Sequence, residues 1–427
     1  MATPAPAAAP ADALIGRHPA PPKGATWAEA ARAEARARLV AMGAPVRRDE
    51  YWKFTDPARL TDPEAAAAVL VTDEAPVFSA FERLKIVFID GVFQPDLSDD
   101  FSLEGVEVEH LTDALSRDIH WAKDLYGALE AAGQTPVVRP FAALNTATAS
   151  AGVAIRSTGT PSKPISLVYF HRDRVSDAVL HHIVRVEPGA ELTVLENGPA
   201  AARFNKCMEI DVADGGRFNH VRAQGRDHER LAATHMFARL GQGSEYKSFT
   251  LTVNGALTRN EHVITFTGDD AKAHVAGAAA GDGAFHHDDT VFITHDGLRC
   301  ESRQVFKKVL RNGAVGAFQG KILVQPGAQK TDGYQISQGL LLDEDSQFLA
   351  KPELEIYADD VVCSHGSTVG AVDDEALFYL TSRGVPKSEA EDMLVLAFVD
   401  EAIQEIEDDA LADEIRTRLA AWLARRR

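Results

Sequence analysis

Five stretches of this chain lie over one another: HHIVRVEPGAEL (His181–Leu192), CMEIDVADGGRF (Cys207–Phe218), HMFARLGQGSEY (His235–Tyr246), EHVITFTGDDAK (Glu261–Lys272) and DTVFITHDGLRC (Asp289–Cys300). Each is a β-branched, alternating run that stops in a glycine-containing turn, which is how a short strand and its corner read. The last strand residues, Val186, Val212, Leu240, Phe266 and Thr294, lie 26, 28, 26 and 28 residues apart. A near-constant period of this size marks stacked supersecondary units, and a unit of short strands and glycine turns predicts a β-solenoid. A flat sandwich also suits closely spaced turns. The constancy of the period favours the solenoid.

Stacking has a consequence for side chains, because residues one period apart sit above one another. It places His235 near His262 and His181 near Cys207, as ladders that could hold metal. Solvent-facing polar ladders or satisfied core histidines are the plainer reading, since a slip of one residue reverses the face. The run His286-His287-Asp288-Asp289 with His295 offers imidazole and carboxylate donors without a ligand spacing specific to any metal.

Outward from the repeats the texture turns helical. Residues 1–25 are Ala/Pro-rich and read as a flexible leader; they lack the basic n-region of a secretion signal. Thr26–Met42 is rich in Ala, Glu and Arg and is stopped by Gly43 and Pro45, a helix. Val46–Pro57 has neither period and reads as a packed linker. Leu84–Ile89 before Asp90-Gly91 is a strand and turn, and Leu111–Ala132 holds one or two helices, so 26–150 is expected to be α+β and 151–370 the β-helix core. In 371–427, Asp373 and Asp374 can cap EALFYLTSR, and Ser388 with Glu391 forms a capping-box pattern. There follow an apolar stripe of Leu394, Ala397, Phe398, Glu401 and Ala402 and a third helix from Ala410 to Ala424. Arg425-Arg426-Arg427 complements a helix C-terminus.

The 427 residues allow two or three domains, or one elongated repeat structure. A net charge of -19 argues against a nucleic-acid face or an anionic-membrane anchor. No stretch reaches the roughly 18 apolar residues of a spanning helix. Cys207, Cys300 and Cys363 are odd in number and widely spaced, which suits a reducing compartment, the cytoplasm, better than a disulfide framework.

The stretch with the densest chemistry is KPELEIYADDVVCSHGSTVGAVDDEALFYLTSRG, Lys351–Gly384. On an extended strand Cys363 and His365 point to the same face. Thiolate and imidazole both ligate iron or zinc, but two donors fall short of the three or four a complete site needs, which invites a partner chain. The alternative is a small buried hydrophobe beside a turn histidine. Two other motifs fail. Around Gly320-Lys321, Val315 replaces the first P-loop glycine and Ile322 the magnesium-holding Ser/Thr. Ser364 next to His365 points to the opposite face and has no elbow, so it is no triad.

FQGKILVQPGAQKTDGYQISQGLLL (Phe318–Leu342), KPELEIYADDVVCSHGSTVG (Lys351–Gly370) and EALFYLTSRGV (Glu375–Val385) resemble the SufB/SufD family of the Suf iron–sulfur cluster assembly system. DEYWKFTDP (Asp49–Pro57), SKPISLVY (Ser162–Tyr169) and PGAELTVLE (Pro188–Glu196) are similar to the same family, so the likeness runs from about Asp49 to Phe398. The FQGKI, AQKTDGYQ and DEYWKFT wording favours the SufD branch over the SufB paralogue. The resemblance implies a mainly β fold, a right-handed parallel β-helix flanked by helical N- and C-terminal regions. It implies a non-catalytic cytosolic scaffold working with SufB and with the ATPase SufC, the latter bound through the C-terminal helical region, and a possible homodimer when isolated. It implies that His365 lies at the SufB interface and helps hold a transient iron–sulfur cluster, none being permanently bound, with Cys363 as an auxiliary. The competing class is a β-helix enzyme acting on polysaccharides, which is expected to carry a secretion signal and to sit outside a reducing compartment.

Overall fold

A computed structural model describes residues 11–65, 67–70, 77–198, 200–224 and 229–424. The first ten residues of the expected leader and Arg425-Arg426-Arg427 lie outside the described residues. Successive strands of the core alternate between two sheets, so each coil gives one strand to each. Among the described residues the sheets hold ten and nine strands. All ladders between coils are parallel. The period expectation is therefore met by a parallel β-solenoid, with helices at both ends of the chain.

Register shows where the repeat was misjudged. Val186, Val212, Leu240, Phe266, His295, Val324 and Ile356 form one column, so the steps are 26, 28, 26, 29, 29 and 32 residues. Phe266 thus pairs with His295, and the expected Thr294 is off by one. Strand Lys272–Asp282 has 11 residues where its predecessor Glu245–Val253 has 9, so the coil lengthens without any change in its corner motif.

The core lies between the sheets. Inward positions carry Ile210, Phe218, Tyr246, Ile264, Phe266, Phe306 and Phe318, all essentially sealed from solvent in one cluster. Fully burying one such side chain is worth about 2 kcal/mol, which is why alternate positions of these strands are apolar. The sheets begin before residue 151: Leu84–Ile89 pairs parallel to Ile165–Phe170, and Val106–His110 pairs antiparallel to Val153–Ser157.

Several local expectations change. Part of the leader is packed, since Ala11–Gly16 is a helix with Leu14 buried among Leu39, Trp52 and Phe141. The segment Leu111–Ala132 holds helices Leu111–Ser116 and Ala128–Ala132 with a 3-10 turn between them. Asp373 accepts from the amides of Glu375 and Ala376 at 2.8 and 3.0 Å, as its capping role requires. Ser388 does not cap. The helix Lys387–Ile403 starts behind Pro386 without a side-chain cap, and Glu391 lies 3.7 Å from Lys387 instead. Its buried face is Val395, Val399, Ala402 and Ile403, with Ala397 and Glu401 exposed, because the outer face of the ten-stranded sheet supplies the other half of the contact. The last helix, Asp409–Ala424, buries Leu411, Ile415, Leu419, Trp422 and Leu423 as its pattern predicts.

Candidate functional site

The two sheets end at the same place, the coil made by Gln347–Ile356 and Val362–Gly370, each an edge strand. Side chains that face inward elsewhere are uncovered here. One inward row of the ten-stranded sheet runs Phe218, Tyr246, Ala273, Ser302, Gly333, Cys363, and the next runs His220, Ser248, Val275, Gln304, Gln335, His365. Cys363 and His365 thus share the inward face of the last strand, separated by roughly 7 Å along it. Their inward setting shows in their neighbours. Cys363 is half-buried against Ile322, Val324, Ala328 and Ala358, with its Sγ filling the space beside Gly333. Ser367, two residues beyond His365, meets the enclosed Ser337 at 3.1 Å. His365 itself is exposed, because no further coil closes over it.

Burial pushes the Cys363 thiol up, the Gly333 backbone pulling the other way. A thiolate here therefore needs a metal or another positive charge to form. The exposed imidazole offers a lone pair without that cost. Among the described residues no group of three or more His, Cys, Asp or Glu side chains is arranged to hold a metal ion, so His365 and Cys363 remain two donors at an open edge.

Other sequence candidates separate. His181 pairs with Cys207, and Cys207 with His235, forming an outward row under the N-terminal helices. Its members are satisfied within the protein. His181 bonds Asn145 and Glu209 at 3.0 and 2.9 Å, and burial holds the Cys207 thiol well above its ordinary range. The expected His235–His262 ladder does not form. His235 pairs with Glu261 and Met236 with His262, which puts the two histidines on opposite faces. The His286–Asp289 run splits in the same way. His286 and Asp288 reach Thr55 outside, whereas His287 and Asp289 meet Lys308 inside at 3.1 and 2.9 Å. His295 bonds Ser302 at 2.8 Å.

Two features escaped the sequence reading. The first is a buried polar file inside the solenoid: Lys206 on Glu196 at 2.6 Å, Arg222 on Glu196 at 3.6 Å and on Thr234 at 3.1 Å, then Thr234 on Asn260 at 2.9 Å. Its signal was present as polar residues at inward positions, but parity is known only once the register is. The second is the grip of the linker on the last coil. Tyr51 Oη meets Glu353 at 2.5 Å, Lys351 meets Glu50 at 2.7 Å, and Arg259 lies 4.3 Å over Trp52.

Beside the open coil the helix Asp374–Ser382 buries none of its residues and exposes Phe378 at 74% and Tyr379 at 56%. The two helices after it are anchored to the ten-stranded sheet by apolar contact and by ion pairs such as Arg303–Glu405 at 2.6 Å. No helix among the described residues is long and apolar enough to cross a membrane.

Comparison with known proteins agrees with this architecture. The iron-sulfur cluster assembly protein SufD of Escherichia coli (strain K12) is 27% identical over 405 residues, covering 90% of this chain and 91% of that protein. A SufBD family protein of Synechocystis, slr0076, is 26% identical over 88% of this chain and 87% of its own length. SufD of Bacillus subtilis (strain 168) is 27% identical over 57% of each chain. The family model for the SUF system FeS cluster assembly SufBD core domain matches residues 170–398, more than half of the sequence. This chain belongs to the SufBD family of the SUF iron–sulfur cluster assembly system.

Proposed function

We propose that this chain is a non-catalytic scaffold subunit, of the SufD type, that completes an iron–sulfur assembly site by joining its open coil to a SufB-type partner. The observation that carries the reading is the bare edge strand Val362–Gly370. It has no neighbour on one side, carries Val362 at 70% and Val369 at 53% exposure, and presents His365 between them. Exposed apolar edges without proline, bulge or lysine are templates for pairing, and stable proteins keep them covered. Here the partner is the cover. His365 contributes an imidazole to the nascent cluster, which is cargo, and Cys363 is an auxiliary donor whose thiol ionises only when metal is present. The remaining donors come from the partner, since a complete site takes three or four.

The exposed Phe378 and Tyr379, on a helix rigidly continuous with two packed ones, suit docking of an ATPase of the SufC type, where ATP hydrolysis takes place. Work on an iron–sulfur pathway with free thiols fits a reducing cytoplasm. Co-expression with SufB and SufC, followed by iron, sulfide and visible-absorption measurements on wild type and His365→Ala, tests this reading. The substituted complex is expected to assemble and to load poorly. Normal loading removes the ligand role, and failure of the wild-type chain to form a complex removes the scaffold assignment.

A further inference from the structure

The inward row that ends at His365 contains two unusual residues beneath it. Gln304 and Gln335 are both fully enclosed, and neither end of either carboxamide meets a hydrogen-bond partner within the protein. Buried carboxamides are almost always satisfied, so an unsatisfied one points to a task. Gln335 is the register partner of His365 and faces the same way. Its amide lies against Gly320 of the opposite sheet, where an added Cβ would come within 2.6 Å of Gln335 Cδ, Nε2 and Oε1. The glycine therefore leaves room for this side-chain position. A ligating imidazole needs a lone pair on one nitrogen and an acceptor for the proton on the other, commonly a carboxylate or carbonyl oxygen behind it.

We propose that Gln335 is the positioning residue for His365. Its Oε1 accepts the ring N–H, directly or through one water, which fixes the neutral tautomer and turns the bare nitrogen out of the open coil. Gly320 makes this possible by leaving space for the carboxamide. The inference rests on the ligand reading of His365, but its test does not need a cluster.

Label the histidines of the isolated chain with 15N, assign the His365 signals by their loss in His365→Ala, and read the tautomer above pH 8. In wild type one tautomer is expected in excess. Gln335→Leu should move the His365 ring shifts toward those of an unfolded histidine. Gly320→Ala should do the same with Gln335 still present, and Gln335→Met serves if the leucine variant does not fold. Gln335→Glu keeps the acceptor oxygen and should retain the wild-type tautomer, and Gln304→Leu, one coil deeper, should leave the signals in place. Unchanged shifts in Gln335→Leu or Gln335→Met overturn the proposal, and so does an equal shift in Gln304→Leu, which would mean repacking alone. In the full complex, loss of Gln335 should weaken iron retention by about 10-fold. If His365→Ala loads normally while the tautomer still depends on Gln335, the positioning holds and the ligand reading falls.

Discussion

The middle coils and the last coil are built from the same two sheets, yet they treat polar groups in opposite ways. In the middle, His182, His220, His262 and His295 sit sealed on inward rows, and burial holds His182, His262 and His295 neutral with pKa values of about 3. Charged groups there survive by pairing, as Lys206 does with Glu196. At the end, an inward histidine is in water for lack of a lid. Parity makes His365 a lumen residue, and only its place in the stack makes it available to a partner.

The largest effect expected from breaking this contrast is in the middle. Glu196→Ala strands Lys206 and Arg222 without their counter-charge and should cost about 3–5 kcal/mol in urea unfolding, whereas Glu196→Leu combined with Lys206→Met should recover most of it. A loss below about 1 kcal/mol for the single change would mean the file is solvated.

Acid should separate the regions next. A buried histidine with a lowered folded pKa binds fewer protons than the unfolded chain, so stability falls as pH drops from about 6.5 toward 3. His182, His262 and His295 each contribute up to about 1.4 kcal/mol per pH unit across that window, and His235, lowered to about 4 by burial, does so down to its own value. Glu261 adds a later loss. Burial opposes its ionisation, but Arg259, His235 and Arg139 outweigh that and hold it at about 2, so its contribution disappears between about pH 4.5 and 2. Urea midpoints at pH 7, 5.5 and 4.5 that do not decline would contradict the neutral-histidine picture.

At the open coil stability and association should come apart. Val362→Asp with Val369→Asp is expected to change folding by no more than about 0.5 kcal/mol and to weaken capture of SufB about tenfold or more, read by titration of the purified subunits. The smallest effect belongs to Cys363→Ala. Only half-buried, it should lose less than about 1 kcal/mol and lower cluster loading less than His365→Ala does. A larger loading defect would make the thiol the principal donor.

Much of this was legible in sequence for identifiable reasons. The solenoid was readable because glycine corners recur at the end of each alternating strand, and the terminal helix was readable because Leu411, Ile415, Leu419, Trp422 and Leu423 keep a helical period. Ladders were readable only where the coil length was right. The 26-residue step that joins His181 to Cys207 also separates His235 from His262, because a guess of 27 there is wrong by one residue and so by one face. The capping box at Ser388 failed because Pro386 fixed the helix start first.

The sequence by itself determined the repeat, the helical ends, and the pairing of Cys363 with His365 on one face, since each depends on local period alone. Tertiary structure alone decided that this face belongs to the lumen and that the lumen is open there. It also decided that Gln335 lies beneath His365 with its amide against Gly320. Those facts require the register between strands about 30 residues apart and the absence of a further coil on the stack, and neither is a property of any short stretch of chain.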